Sequence, residues 1–203
     1  MSAAKPHPVH VTTPAPSLAR YSRVAIALHW ALAVLITASF VFGVYMVDLP
    51  FSPARVRQYN WHKWAGITIL GLSALRLLWR LGNQPPALDN AMPAWQVRAS
   101  RISHNLLYVL FFAAPLAGWA YSSAAGFPIV YFGLIPLPDW VPQSTELASQ
   151  LKLLHRTLTY GMAVFVVLHV LAAIKHHWID LDQLLDRINP FTRPSQGTQG
   201  KAR

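Results

Sequence analysis

Four apolar runs, at about residues 24–47, 61–80, 101–121 and 152–178, each have the length needed to cross the hydrocarbon of a bilayer. Backbone polar groups in lipid must be satisfied within the spanning segment, so such runs are helices. A 203-residue chain carrying four of them is predicted to be an all-α membrane protein, one four-helix transmembrane bundle. Only 12% of the residues are charged, against about 25% in soluble domains. The first run outlasts the apolar core of a secretory signal and continues straight through, so it reads as a retained helix. Residues 1–19, rich in Pro, Ala and Ser, read as a disordered tail. The bundle occupies 20–180, and 181–203 form a polar C-terminal tail.

Four spans put both termini on one side of the membrane. That side collects Lys5, Arg20, Arg23, Arg80, Arg98, Arg101, Lys175, Arg187, Arg193, Lys201 and Arg203. The opposite side holds Arg55, Arg57, Lys63, Lys152 and Arg156. The excess of cations marks the side of the termini of this multi-pass protein as cytoplasmic. The formal net charge of +10 is accounted for by this anchoring, and no nucleic-acid partner is expected. The partners expected instead are membrane lipid and membrane-soluble molecules.

The chain has no cysteine, which removes disulfides, thiolate-bound metal, iron–sulfur clusters and thioether-linked haem together. Any metal or haem must be held by histidine, and haem non-covalently. The last run, Leu153 to Trp178, carries His155 and His169, fourteen residues apart. On a helix that spacing is roughly 21 Å of axis, with the two side chains within about 40° of one face. His169 lies six residues from Lys175, and His29 of the first run lies six from Arg23, so both sit about 9 Å inside the cytoplasmic edge. His62 stands at the outer entry of the second run and His155 at the outer entry of the fourth. Two pairs follow at two matching levels: His29 with His169 inside, and His62 with His155 outside.

An imidazole inside a membrane is costly unless it pairs or ligates. A hydrogen bond to a neighbouring helix satisfies any one of the four. Axial ligation of two stacked haems accounts for all four at once, in the kind of iron site that suits electron transfer. His104 lies only three residues from Arg101, about one turn shallower than the inner pair, and is left out of the set. Arg76 and Arg101 near the inner level, and Lys63 and Arg156 beside the outer histidines, are cations able to hold haem propionates. His176 and His177 mark the cytoplasmic helix end, as a solvated terminus or as a quinone or proton site. Gly66 and Gly71 leave room for neighbouring backbone or a flat ligand, and Pro115 predicts a kink. The connection 122–150 contains FPIVYFGLIPLPDW, an aromatic segment expected to lie along the interface.

These residues in this order resemble the bacterial cytochrome b561 family, and within it the superoxide oxidases. The resemblance is carried by Arg20-Tyr21-Ser22-Arg23 leading to Leu28-His29-Trp30, by His62 with Gly66, and by Arg76-Leu77 with Arg80-Leu81. His104 with Tyr108, Pro115 and Gly118, then Leu154-His155, Leu168-His169 and His176-His177, complete it across residues 20–190. The N-terminal tail is longer than in shorter family members. The resemblance implies a four-helix protein of the bacterial inner (plasma) membrane with two haem b groups ligated by His29, His62, His155 and His169. It also implies oxidation of periplasmic superoxide to dioxygen, with ubiquinone reduced on the cytoplasmic side and His176 among its contacts. The basic outer residues Arg55, Arg57, Lys63 and Arg156 agree with this, since they would steer a small anion. Two alternatives share parts of the pattern. One is a haem b anchor subunit passing electrons between a dehydrogenase, a redox protein partner, and quinone. The other is a histidine-lined metal transporter without haem, which the lack of carboxylates within the spans disfavours.

Overall fold

The computed structural model describes residues 20–84, 86, 92–181 and 184–191, so the N-terminal tail and the last twelve residues lie outside it. Four long helices make the bundle: α1 (Arg23–Val47), α2 (Pro53–Gly82), α3 (Ala94–Ala124) and α4 (Thr145–Lys175). All four are long and apolar enough to cross a membrane. Three begin at a serine whose hydroxyl accepts from the third residue on. Ser22 accepts from Ala25 N, Ser52 from Arg55 N and Ser144 from Leu147 N, each at 3.2 Å. Each cap satisfies a backbone donor that the first turn leaves orphaned.

Three helices start about two turns earlier than the apolar runs, and of these α4 does so behind the Ser144 cap, at Thr145 rather than near Lys152. At α2, Ser52 caps and Pro53 occupies the first turn, so Arg55 and Arg57 ride on helix rather than in a loop. At α3, Ala94 starts the helix two turns before Arg101, and the helix runs on through Pro115. Sequence-adjacent helices pack along their lengths, whereas α1 and α4 barely touch, leaving an open seam between first and last.

One small core ties the bundle together. Leu32, Ile36, Ile69, Leu110, Ala114 and Met162 are buried at mid-height. Met162 stands seven residues from His155 and seven from His169, so this apolar plug separates the two histidine levels. Outside it, large side chains such as Leu78 (66% exposed) and Val164 (58%) point outward. No soluble surface would tolerate that density of apolar exposure, and lipid requires it.

Both described ends meet at one end of the bundle, the end that the cation count expects to be the inner one. Beyond α4 the chain tightens into a π-helical turn (His176–Asp180), reverses at Leu181 (φ 54°), and forms a short 3-10 turn (Leu184–Arg187). This segment returns under α1: Tyr21 N donates to Arg187 O (3.2 Å), and Trp30 Nε1 donates to Ile188 O (3.0 Å). At the outer end, the aromatic connection folds into a two-stranded hairpin, β1 (Val130–Tyr131) and β2 (Ile135–Pro136). Its turn uses positive φ at Phe132 and Gly133. Trp64 Nε1 donates to Val130 O (2.7 Å) and Thr68 Oγ1 bonds the Tyr131 hydroxyl (2.8 Å), fastening the hairpin to α2.

Leu32 is 1% exposed, so Leu32→Ala opens a cavity in the plug. It is expected to lower stability by ~2 kcal/mol, while the outward-facing Leu78→Ala changes it by less than ~0.5 kcal/mol. Thermal unfolding in detergent measures both.

Candidate functional site

The histidines sit where the helices approach across the bundle axis. At the inner level, α1 presents His29 and α4 presents His169, with ring centroids 6.3 Å apart and planes at 56°. At the outer level, α2 presents His62 and α4 presents His155, 6.2 Å apart and at 82°. Two metal–imidazole bonds of about 2 Å in line, extended to the ring centres, place centroids about 6 Å apart. The centroid spacing of each pair is therefore the one that a single metal ion between two imidazoles would require.

The ring nitrogens are placed unevenly. His155 Nδ1 lies 2.8 Å from Ala114 O; a carbonyl only accepts, so Nδ1 carries the proton and Nε2 is left bare. His62 Nδ1 lies 3.4 Å from Ser39 Oγ. Among the described residues, His29 Nδ1 is buried with no hydrogen-bond partner. His104, which counting from Arg101 places one turn shallower, instead lies against His169 with centroids 5.2 Å apart at 83°. That spacing is shorter than in either facing pair, and His104 Nδ1 donates to Ser100 O of its own helix (2.7 Å).

Cations surround both levels. The Arg76 and Arg80 guanidinium groups lie 5.7 and 5.5 Å from the centroid of the Tyr108 ring. No acidic residue occurs on α1, α2 or α3, and α4 carries only Glu146, in its first turn. Arg76 thus enters the bundle with no carboxylate on those helices to balance it. It joins His29, His104, Tyr108 and His169 in lining a cavity of about 2020 Å³ that extends to His176. His176 Nδ1 is 3.2 Å from Asp180 Oδ2, which also receives Lys175 Nζ at 2.6 Å.

At the outer level, Lys63 Nζ donates to Phe127 O (2.9 Å) above the Phe127 ring. Arg55 reaches Val47 O (3.4 Å) and the Tyr59 hydroxyl (3.3 Å), and Arg156 lies over Tyr160. Arg57 is exposed. The structure thus brings the four histidines together in two pairs and distributes the outer cations around the rim. Gly66 has nothing within 4 Å of where a Cβ would stand, nor does Gly71, so neither admits neighbouring backbone. At Gly66, one turn from His62, the space is open to a flat ligand.

A profile described as prokaryotic cytochrome b561 matches residues 20–190. "Cytochrome b561 homolog 2" of Escherichia coli (strain K12) is 33% identical over 171 residues, covering 83% of this chain and 90% of that protein. "Cytochrome b561 homolog 1" of the same organism is 28% identical over 176 residues, covering 84% and 97%. "Probable superoxide oxidase CybB" of Yersinia pestis is 32% identical over 181 residues, covering 86% and 98%. The chain belongs to the prokaryotic cytochrome b561 family, whose members are multi-pass bacterial membrane proteins that bind haem b and transfer electrons.

Proposed function

We propose that this cytochrome b561 carries electrons across the inner membrane by way of two haem b groups, from superoxide at the outer face to ubiquinone at the inner face. The observation that carries the reading is the doubling of one arrangement. Two facing imidazole pairs, at 6.3 and 6.2 Å, stand at two levels joined by α4. His155 and His169 set those levels roughly 21 Å apart along its axis.

The residues fit the group. His29 and His169 would hold the inner haem, and His62 and His155 the outer one, since the centroid spacing of each pair suits an intervening metal. When bound, haem closed by two imidazoles supplies one-electron exchange without an open coordination position. The bond from His155 Nδ1 to Ala114 O holds the tautomer that presents Nε2, as ligating histidines require. Arg76, with no carboxylate on α1 to α3, fits a propionate. His104 stays outside the ligand set, because its ring centroid lies 5.2 Å from that of His169, closer than the about 6 Å that a metal between two imidazoles needs.

At the outer rim, Arg55, Arg57, Lys63, Lys152 and Arg156 form a cationic approach with few acids nearby, which raises the encounter rate of a small anion. Each superoxide gives up one electron and leaves as dioxygen. Two of them match the two electrons and two inner-side protons that convert quinone to quinol. The cavity of about 2020 Å³ is lined from Tyr45 to His176, so it would take the inner haem as well as a quinone ring, and His176 with Asp180 lies where protons would enter. The name of the Yersinia pestis relative supports the superoxide assignment. Against the haem-free transporter, the described residues contain no group of three His, Cys, Asp or Glu arranged to hold a bare metal ion.

The haem-to-protein ratio tests the ligand set. The wild type is expected near two, and His29→Ala, His62→Ala, His155→Ala and His169→Ala each near one, with His104→Ala unchanged. Retention of both haems in any of the four, or loss from His104→Ala, contradicts the pairing.

Pulsed superoxide tests the substrate. The oxidised protein is expected to become reduced faster than superoxide dismutates. Lys63→Gln and Arg156→Gln should each slow that step roughly 3- to 10-fold and flatten its dependence on ionic strength. A wild type left oxidised by the pulse removes superoxide as the donor.

A further inference from the structure

The two outer imidazoles rest in seats built alike on different helices. His62, on α2, places Nδ1 3.4 Å from Oγ of Ser39 on α1. Its Cε1 lies 2.9 Å from where a Cβ on Gly43 would stand. His155, on α4, donates Nδ1–H to the carbonyl of Ala114 on α3 at 2.8 Å. Its Cε1 lies 2.9 Å from where a Cβ on Gly118 would stand. Ser39 and Gly43 are four residues apart, as are Ala114 and Gly118, so on each helix the acceptor and the glycine share one face one turn apart. At Gly66, Gly71, Gly82 and Gly161, by contrast, a Cβ would meet nothing within 4 Å.

We propose that these two seats are positioning devices that fix the rotation of the outer imidazoles, and so the crossing of their planes. The acceptor directs Nδ1, and the glycine admits Cε1 to a place that any side chain would fill. A ring held at both atoms has one permitted plane. The planes of His62 and His155 cross at 82°. The inner pair lacks the device: His29 Nδ1 has no hydrogen-bond partner among the described residues, and the planes there cross at 56°.

The proposal rests on reading His62 and His155 as the two ligands of one haem, and its consequence is spectroscopic. Crossed axial imidazole planes leave the two iron d orbitals that interact with them nearly equal in energy. Ferric low-spin iron then gives a highly anisotropic paramagnetic resonance signal. Planes closer to parallel split those orbitals and give a rhombic signal.

Low-temperature paramagnetic resonance of the oxidised, haem-loaded protein, with the haem-to-protein ratio, tests the seats. The wild type is expected to show two low-spin signals, one of them highly anisotropic. Gly118→Ala and Gly43→Ala should shift the anisotropic signal toward rhombic, or lose that haem alone, with the other signal unmoved. Ser39→Ala removes the hydroxyl beside His62 Nδ1 without adding volume and should shift the same signal less. Gly161→Ala, at an open position, should move neither. The seats are overturned if both wild-type signals are rhombic, or if all three seat variants keep the wild-type spectrum. If a glycine variant fails to assemble, Ser39→Ala decides, and an unchanged spectrum overturns the proposal. A wild type that binds fewer than two haems overturns the ligand reading instead, which separates the two failures.

Discussion

An imidazole in hydrocarbon must find a partner, and this chain offers almost no anions within its spans to serve as one. That constraint organises the bundle. The histidines meet one another across the axis, or bond backbone carbonyls and a serine hydroxyl, and the cations lie over aromatic rings. Arg76 and Arg80 both lie over Tyr108, Arg55 over Tyr59 and Arg156 over Tyr160. Such contacts orient a guanidinium without neutralising it, so the positive charge remains available to an anionic ligand.

The seam between α1 and α4 follows from the same logic. Consecutive helices joined by short connections pack closely, but the first and last are brought together only by what lies between them. His29 on α1 faces His169 on α4 across that seam. The clamp at the inner end, where the 184–191 segment accepts hydrogen bonds from Tyr21 and Trp30, ties the same two helices by their ends. α1 and α4 are thus joined at the inner end, and higher up they meet through the plug and through Phe40 against Tyr160, 5.5 Å between ring centroids.

Much of this was legible in the chain because apolar length and histidine depth both run along one axis. The four helices follow from apolar length, and the two histidine pairings from depth, the outer one only because α2 and α4 both begin about two turns before the boundaries it is counted from. What depth could not supply is the neighbour at each level. His104 was misplaced because Arg101 is not the boundary of its helix: α3 begins two turns earlier, at Ala94. The start of α2 was legible in Ser52-Pro53, a cap followed by a helix-starting proline, but Arg55, Arg57 and Gln58 kept that turn out of any apolar window. The hairpin strands, two residues each, fall below any periodicity signal. Gly43 and Gly118 were silent because nothing in a sequence says which helix face meets which side chain. Gly66 and Gly71, more conspicuous by position, face open space.

The plug of Leu32, Ile36, Ile69, Leu110, Ala114 and Met162 between the two levels is entirely apolar. It offers no relay of titratable groups along which a proton or counter-ion could follow an electron. With electrons running inward, each transfer would therefore be electrogenic. It would work against an inside-negative potential at up to about 2.3 kcal/mol per 100 mV for a full crossing, in proportion to the depth traversed. Negative charge delivered inside, together with protons taken up there by the quinone, would add to the proton-motive force. The dry middle of the bundle would make removal of a toxic radical a small contribution to membrane energisation.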